Sequence, residues 1–227
     1  MIDLVPPPEL VDAVGAGDFT LIGESYLQHF VTLAGLQPDH CVLDVGCGVG
    51  RMAVPLTHYL APPGEYEGFD IVPEGVAWCQ ENIAARYPHF RFQLAAVYNR
   101  HYNPGGTCRA SEYRFPYRSR SFDLVFLVSV LTHMLPADME RYLAETTRVL
   151  KRNGRCLITF FLLNPESRAL MRAGCSNMDF GQWEGVAHVA DRANPEAAVA
   201  YEQGYVERLF RRHGLETAER TVLAVAR

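Results

Sequence analysis

The stretch Val42-Leu43-Asp44-Val45-Gly46-Cys47-Gly48-Val49-Gly50-Arg51 decides the fold of this chain. The apolar run Cys41–Val45 is typical of a buried strand, and three glycines that alternate with other residues follow it at once. A glycine-rich turn between a strand and a helix lets the backbone approach a ligand closely and points the helix N–H groups at that ligand. The stretch therefore predicts a strand, a ligand-binding loop and a helix, the last over Arg51–Leu60.

The glycine spacing separates several kinds of nucleotide-binding loop. A P-loop needs a lysine after its last glycine, and no lysine follows Gly50. A dinucleotide-binding loop needs G-x-G-x-x-G, whose third glycine would fall on the position that Arg51 occupies. The motif also contains Asp44, which disfavours an anionic pyrophosphate. The Asp44 carboxylate suits the cationic sulfonium and ammonium groups of S-adenosylmethionine, and the ribose hydroxyls of that molecule.

A second acid stands at the end of the next predicted strand, Tyr66–Ile71. Asp70 lies 20 residues beyond Gly50, and in doubly wound sheets an acid at this place accepts hydrogen bonds from ribose hydroxyls. A solvated carboxylate at a strand end is the simpler alternative. The distance from the glycine loop favours the binding role, in which Ile71 packs against the adenine face.

Predicted strands and helices alternate along the chain, which is typical of a parallel sheet with helices on both faces. The remaining predicted helices are Glu24–Leu36, Pro73–Tyr87, Pro136–Leu150 and Tyr201–His213, and the remaining predicted strands are Phe90–Ala95, Phe122–Val130 and Arg155–Leu163. Tyr98–Tyr117 and Asn164–Ala200 interrupt the alternation. Gly214–Arg227 is expected to supply the closing strands. Because Leu215–Arg227 contains no turn signal, either the closing hairpin is reduced or an internal segment is omitted.

Four motifs in order resemble those of class I S-adenosylmethionine-dependent methyltransferases, especially bacterial enzymes of the quinone-biosynthesis-like and natural-product type. They are Val42–Arg51, Gly68-Phe69-Asp70-Ile71, Ser121-Phe122-Asp123-Leu124-Val125, and Arg148-Val149-Leu150-Lys151 before Gly154. The resemblance covers about Leu36 to Leu163 and is specific for the superfamily rather than for a substrate. It implies a Rossmann-like, doubly wound α/β fold whose seven-stranded sheet is mostly parallel with one antiparallel strand.

The resemblance also implies a set of cofactor contacts. It places the methionine and ribose parts against the glycine loop, the ribose diol on Asp70 and the ammonium group on the Ser129 carbonyl. The expected cofactor-binding residues are Asp44, Gly46, Cys47, Gly48, Gly50, Arg51, Asp70, Ile71, Val97 and Ser129. Two positions depart from the pattern. Ala96 replaces the Asp or Asn that binds the adenine amino group in many relatives, so the Val97 backbone is expected to serve instead. Arg152-Asn153-Gly154 replaces the usual turn.

The acceptor side is predicted from the segment Ser129–Met134, which follows the fourth predicted strand. His133 is the candidate general base there, although a histidine that caps the loop by a backbone hydrogen bond is the alternative. Residues 1–36 are predicted as an N-terminal helical cap and 164–200 as a substrate lid, both within one domain spanning 1–227. Trp183, Phe180 and His188 could line the acceptor pocket under that lid.

Composition restricts the partners. A net charge of −5 and a pI near 5.9 argue against nucleic acid, and no apolar run approaches the ~20 residues of a membrane span. The N-terminus has no signal-peptide pattern, and six scattered cysteines without a C-x-x-C pair favour a cytoplasmic, reduced protein without a zinc site. No other metal pattern is present, so no metal is expected.

The predicted function is methyl transfer from S-adenosylmethionine to a small molecule by in-line displacement, with S-adenosylhomocysteine as the second product. The alternatives are a methyltransferase for RNA or protein, and a catalytically silent module that binds the same cofactor. NAD-dependent oxidoreduction is disfavoured because Arg51 stands where a third glycine is needed. The motifs specify neither the acceptor and its methylated atom nor the oligomeric state.

Overall fold

The strand that precedes the glycines lies at the centre of the main sheet. The computed structural model describes residues 4–13, 15, 17–100 and 102–221. Up to the end of the main sheet the elements are α1 (Pro8–Ala13), α2 (Phe19–Thr32), β1 (Cys41–Val45), α3 (Ala53–Leu56), β2 (Glu65–Asp70), α4 (Pro73–Cys79, continued by a π-helical turn, Gln80–Ala84), β3 (Phe90–Leu94), β4 (Phe122–Leu127), α5 (Pro136–Val149) and β5 (Leu150–Ile158). Short 3-10 helices lie at Ala110–Glu112 and Leu131–His133.

The five strands form a parallel sheet in the order β3-β2-β1-β4-β5. Asp44 pairs with Gly68 on β2 and with Phe126 on β4, so β1, β2 and β4 end at the same edge of the sheet. In the sheet, β2 and β3 lie on one side of β1, and the chain then crosses to the other side of β1 to form β4 and β5. This reversal of strand order is where doubly wound sheets bind their ligands.

The central strands β1 and β4 are buried on both faces, as their near-continuous apolar sequences predict. Val45, Leu127 and Leu143 of α5 belong to the core on one face. Phe30 of α2 and Phe126 of β4 stack on the other face, with ring centroids 4.3 Å apart. Helices therefore cover both faces, and the expectation of an α/β Rossmann-like fold is confirmed.

A second sheet follows the first, and here the expected seven strands do not appear. After β5 come β6 (Phe161–Leu163), α6 (Pro165–Arg172), β7 (Gly181–Gln182), β8 (Ala187–Val189), a 3-10 helix (Pro195–Ala197), β9 (Val199–Glu202) and α7 (Gln203–Arg212). The strands β6-β9-β8-β7 form a separate sheet with parallel and antiparallel pairs. The described part of the chain thus has five strands in one sheet and four in another, not seven in one.

Two local features also differ from what the sequence predicts. The predicted turn at Asn153-Gly154 is a kink inside β5, where Asn153 adopts φ +66° and the pairing of β4 with β5 shifts in register. Residues 214–221 contain no strand, and 222–227 lie outside the described residues, so the predicted closing strands over Gly214–Arg227 are not seen in the described part. No described helix is both long and apolar enough to cross a membrane.

Candidate cofactor and acceptor site

The glycine loop turns sharply at the end of β1. Gly46, Gly48 and Gly50 all have positive φ, at 82°, 53° and 79°. A side chain at Gly46 would collide with Val130 Cγ2, and a Cβ at Gly50 would lie 2.7 Å from Ile83 Cδ1. Positive φ and close packing together leave room only for glycine at these two positions. The loop is therefore tightly packed against Val130 and Ile83, while Gly46 and Gly48 remain partly exposed.

Asp70 ties the end of β2 to this loop. Its Oδ2 accepts from the Gly48 N–H at 2.7 Å, and its Oδ1 accepts from the N–H groups of Ile71 at 2.7 Å and Val72 at 2.9 Å. Burial raises the pKa of Asp70, and the three backbone hydrogen bonds oppose that rise. A carboxylate has about four lone-pair sites, so Asp70 still has a site for a ribose hydroxyl.

Asp44 lies beneath the loop rather than on its open side. The residue is 1% exposed, and its Oδ2 accepts a hydrogen bond from the Tyr66 hydroxyl at 2.6 Å. Burial raises the pKa of Asp44 to about 8, although the Tyr66 hydrogen bond opposes the rise. Cys47 is buried beside it, with a thiol pKa raised well above the ordinary value by burial. Direct contact of Asp44 with a cofactor stays a prediction, whereas its structural bond to Tyr66 was not foreseen.

Arg51 closes the loop on the side of the N-terminal segment. Its Nη2 donates to the Gly15 carbonyl at 2.8 Å, and its guanidinium lies over the Phe19 ring, 5.8 Å from the centroid. Its Nε is buried and makes no hydrogen bond to any residue that the structure describes. A buried donor without a partner is costly unless a ligand satisfies it. This atom suits the carboxylate of an amino-acid moiety.

The end of β3 leads into a tight turn that leaves one backbone donor open. The Ala96 carbonyl accepts from the N–H groups of Thr107 and Cys108, both at 2.9 Å, and the Val97 carbonyl accepts from Asn103 Nδ2 at 3.0 Å. Among the described residues, nothing accepts from the Val97 N–H. Ala96 has no polar side chain, so the Val97 N–H is the group available for a ring nitrogen. Ile71 is half-buried against the core.

Ser129 holds an unusual backbone conformation after β4. Its φ is +58°, and its N–H donates to Thr159 Oγ1 at 2.8 Å, which fixes this conformation from the neighbouring strand end. Positive φ is uncommon for residues other than glycine and often marks functional positions. The Ser129 carbonyl accepts no hydrogen bond within the described part of the chain. It is therefore available to a ligand ammonium group, and the next residue, Val130, packs on Gly46.

His133 ends the 3-10 helix Leu131–His133. Its Nδ1 lies 3.0 Å from the backbone carbonyl of Glu196. A carbonyl oxygen only accepts, so Nδ1 carries the proton in this bond and the Nε2 of the neutral ring keeps its lone pair. The ring of Tyr102 meets His133 edge to face, with centroids 6.4 Å apart. His133 thus makes a backbone hydrogen bond, as the alternative to a catalytic role expects, and its second nitrogen keeps a lone pair, so its role as a base stays a prediction.

The predicted lid residues separate into two groups. Glu196 approaches His133, and its carboxylate accepts from Asn99 Nδ2 at 3.3 Å. His188 instead lies on the second sheet, 3.4 Å from Glu202, in a cleft of about 560 Å³ that Phe180 also lines. Trp183 packs against the main core. These three residues do not come together with His133, and the proposed lid remains a prediction.

Sequence reasoning overlooked Tyr66, Asn99, Thr159 and Glu196. The alternation of Glu65, Tyr66 and Glu67 at the start of β2 places the tyrosine on the opposite face from the two acids, which is the signal that could have marked Tyr66 as a buried partner of Asp44. Asn99 and Glu196 are 97 residues apart, so no local pattern relates them. In the part of the chain that is described, no three His, Cys, Asp or Glu side chains are placed to hold a metal ion.

Comparison with known proteins identifies the family. The model of the methyltransferase domain matches residues 43–158, slightly more than half of the chain. An uncharacterized protein of Haemophilus influenzae is 29% identical over 136 residues, which are 60% of this chain and 48% of that protein. The chain therefore spans about half the length of this curated relative.

Solved structures with the same fold share little sequence. The PH0226 protein of Pyrococcus horikoshii has a TM-score of 0.56 at 19% identity, covering 92% of this chain and 83% of its own. A putative sarcosine dimethylglycine methyltransferase of Galdieria sulphuraria scores 0.54 at 18% identity, with coverages of 86% and 60%. Phosphoethanolamine N-methyltransferase 2 of Haemonchus contortus, in complex with S-adenosyl-L-methionine, scores 0.55 at 16% identity, with coverages of 90% and 40%. The chain belongs to the methyltransferase domain family and has the fold of class I S-adenosylmethionine-dependent methyltransferases.

Proposed function

We propose that this chain binds S-adenosylmethionine at the glycine loop and transfers its methyl group to a small-molecule acceptor. The observation that carries the proposal is the set of open polar groups around that loop. The Val97 N–H, the Ser129 carbonyl and Arg51 Nε have no partners among the described residues, and Asp70 keeps lone pairs free. Donors and acceptors left open at the carboxyl edge of a parallel sheet suit a ligand with both kinds of group.

Each open group suits one part of the cofactor. The Ser129 carbonyl would accept from its ammonium group, Arg51 would pair with its carboxylate, and Asp70 would accept from its ribose diol. The Val97 N–H would donate to an adenine nitrogen while Ile71 packs against the ring. Gly46, Cys47, Gly48 and Gly50 would contribute backbone rather than side chains. When bound, S-adenosylmethionine supplies a methyl group activated by its sulfonium.

His133 would serve the acceptor. Its Nε2 is free to take a proton because the Glu196 carbonyl holds the proton on Nδ1. Segment 164–200, which contributes Glu196, would act as the lid, and residues 1–36 as a cap held by Arg51. The protein's main contribution would be to orient the acceptor, worth ~7–11 kcal/mol, and base catalysis would add roughly 10²–10⁴-fold.

The charge of the chain and the state of its cysteines support two further parts of the proposal, the acceptor class and the location. The acidic balance of the chain favours a small acceptor over nucleic acid. All six cysteines are free, which fits a cytoplasmic location.

The proposal is tested by incubating the protein with methyl-labelled S-adenosylmethionine and mixtures of small acceptors, and measuring labelled product and S-adenosylhomocysteine. We expect transfer by the wild type and a loss of about 10²–10⁴-fold in kcat for His133→Ala, with unchanged cofactor affinity. His58→Ala, at an exposed position just after α3, is the matched control. Label transferred only to RNA or protein would favour a macromolecular acceptor. Cofactor binding without any transfer would favour a silent binding module.

A further inference from the structure

A cleft lined by arginines lies between the segment that leads into β4 and the last turn of α5. Its walls are residues 114–119 and Arg148, and its volume is about 520 Å³. The two walls meet before β4 begins, where the Ser121 N–H donates to the Val149 carbonyl at 2.8 Å. The proposed cofactor groups follow the opposite, carboxyl ends of the strands. The cleft therefore shares no residue with the proposed cofactor site.

Arg148 holds the inner wall of the cleft in place. Its Nη1 donates to the Tyr117 carbonyl at 2.8 Å and to Ser119 Oγ at 3.4 Å. Its Nη2 donates to the Phe115 carbonyl at 3.0 Å. Its Nε donates to both carboxylate oxygens of Glu145, at 3.1 and 3.0 Å. Because Glu145 balances the charge of Arg148, the free charge of the cleft comes from its other arginines.

The backbone around the cleft has its acceptors occupied and its donors open. Two of its carbonyls accept from Arg148, and the Arg118 carbonyl accepts from Ser121 Oγ at 3.0 Å. Within the described part of the chain, the N–H groups of Tyr117, Arg118 and Ser119 donate to no residue. Successive open N–H groups form concavities that bind anions. The backbone of this segment therefore favours a negatively charged ligand.

Two arginines of the cleft have no partner. Arg114 and Arg118 are exposed, and neither guanidinium forms an ion pair or a hydrogen bond with a described residue. No acidic side chain is among the described residues that line the cleft. The basic stretch at the end of α7 differs, because Arg212 and His213 lie 2.7 and 3.9 Å from Glu140. The cleft thus keeps an unbalanced positive charge in a chain whose net charge is −5.

The open donors fit phosphate groups better than a carboxylate. A carboxylate has two oxygens, whereas a phosphate group presents three, and the planar fork of arginine matches phosphate with two parallel hydrogen bonds. The volume of the cleft admits more than one phosphate group. Its aromatic residues face inward, since Phe115 is 1% exposed and Tyr117 meets Phe122 edge to face with centroids 5.1 Å apart. The described walls therefore leave no open ring on which a nucleobase could stack.

We propose that this cleft binds the phosphate groups of a di- or triphosphate, through the guanidinium groups of Arg114 and Arg118 and the N–H groups of Tyr117, Arg118 and Ser119. The ligand is recognised by its phosphate chain rather than by a base, so inorganic polyphosphates and nucleoside triphosphates make the same contacts. No bond is made or broken at this site, which is independent of the proposed function. A bound polyphosphate stabilises the folded chain by mass action.

The experiment is a calorimetric titration of the whole chain with polyphosphates in magnesium-free buffer. Ionic strength is held constant, because salt screens contacts between exposed charges. We expect pyrophosphate to bind at one site per chain, about tenfold more tightly than inorganic phosphate or succinate. Tripolyphosphate, ATP and GTP should bind with similar affinities, which separates recognition of the phosphate chain from recognition of a nucleotide. Saturating S-adenosylhomocysteine should not change the affinity for pyrophosphate.

Substitutions of the two free arginines assign the site. Arg118→Gln should weaken pyrophosphate binding about tenfold, and the double variant Arg114→Gln, Arg118→Gln should abolish it. The matched control is Arg211→Gln, an exposed arginine near the end of α7, which should bind pyrophosphate as the wild type does. Both arginines of the cleft are exposed, so thermal unfolding without ligand should be nearly the same for all variants.

Four results would overturn the proposal. They are no binding of pyrophosphate to the folded wild type, binding no tighter than that of inorganic phosphate, unchanged binding by the double variant, and binding of ATP more than tenfold tighter than that of tripolyphosphate. Competition between pyrophosphate and S-adenosylhomocysteine would also overturn it, because the two sites share no residue. That last result would leave the proposed function intact, since S-adenosylhomocysteine would still bind.

Discussion

Asp44 is a carboxyl group that the fold keeps out of water at the base of the glycine loop. Its pKa rises from 3.8 to about 8, chiefly through burial, so the folded protein holds this proton more tightly than the unfolded chain does. A group of this kind lowers stability as pH rises between the two pKa values. The contribution of Asp44 therefore weakens the fold between about pH 4 and pH 8.

The first prediction concerns Asp44→Asn, which keeps the shape of the side chain and removes its charge. The free energy of unfolding of the variant should fall less steeply than that of the wild type across this window. The stability of the variant relative to the wild type should therefore increase as pH rises. Urea unfolding at pH 5, 6, 7 and 8 measures this difference. A difference that does not change with pH would contradict a buried, proton-binding Asp44.

Asp123→Asn is a control of opposite sign. Burial alone would raise the pKa of Asp123, but hydrogen bonds from Lys151 Nζ at 2.7 Å and the Cys41 N–H at 2.8 Å hold it below its ordinary value. Its stabilisation is present above the unfolded pKa and is lost as pH falls through the folded one. The stability of this variant relative to the wild type should therefore decrease as pH rises from the acid range.

A second prediction concerns Gly46→Ala. The new Cβ would collide with Val130 and would sit at φ +82°, so we expect a loss of more than the ~1 kcal/mol that positive φ alone costs, together with weaker cofactor binding. Gly35→Ala is the matched control, because Gly35 has φ +64° and no atom within 4 Å of an added Cβ. Thermal unfolding of both variants provides the comparison. Equal losses would show that the loop is not tightly packed at Gly46.

At the scale of single residues, the sequence predicts which residues follow a strand end better than it predicts what their side chains contact. The glycines, Asp70 and His133 could be chosen from spacing, because strand ends and the turns that follow them have recognisable signals. Asp44 was expected to face the ligand, yet its side chain bonds to Tyr66 and lies 1% exposed. Which side of a loop a carboxyl occupies depends on the neighbouring strand, which a local pattern does not contain.

At the scale of elements, α5 anchors the segment that leads into β4. Glu145 is buried, and it accepts from the Phe115 N–H at 2.9 Å and from Arg148 Nη2 at 2.6 Å. Arg148 in turn donates to the carbonyls of Phe115 at 3.0 Å and Tyr117 at 2.8 Å. One helix thereby satisfies the backbone of a segment without regular structure. Removing one member of such a network strongly destabilises the fold, because the remaining buried groups lose their partner.

The third prediction is that Glu145→Ala lowers the free energy of unfolding by about 3 kcal/mol, because it leaves Arg148 and the Phe115 N–H without their partner. Glu140→Ala is the control on the same helix. Glu140 pairs with Arg212 at 2.7 Å in an exposed position, and its loss should cost about 0–1 kcal/mol. Urea unfolding separates the two effects. Similar losses would mean that Glu145 is not a structural anchor.

The element pattern was predicted well where strands are buried and less well where they are not. β1 has its predicted bounds and β4 begins where predicted, because central strands show near-continuous apolar sequence, whereas β2 contains three acids and is shifted by one residue from its predicted bounds. The helix expected over Arg51–Leu60 is reduced to Ala53–Leu56, where Pro55 and the tight loop limit regular hydrogen bonding. Asn164–Ala200 was expected only as an insertion in the alternation of strands and helices; the structure places β7 and β8 there, and β8 pairs with β9.

At the scale of the whole molecule, the seven-stranded expectation came from family resemblance rather than from periodicity. The described chain instead separates a five-stranded parallel sheet from a four-stranded one. The site depends only on the carboxyl edge of β1 to β4, where the glycine loop, Asp70, Val97 and Ser129 all lie after strand ends. The cofactor proposal is therefore independent of how the far side of the sheet is completed.

The most direct measurement of the central claim is a calorimetric titration of the whole chain with S-adenosylhomocysteine. We predict binding of one molecule per chain, about tenfold or more weaker for Asp70→Asn, which removes a charged acceptor, and unchanged for Asp191→Asn on an exposed turn. Absence of binding to protein that circular dichroism shows to be folded would contradict the claim. So would equal affinity of the wild type and Asp70→Asn.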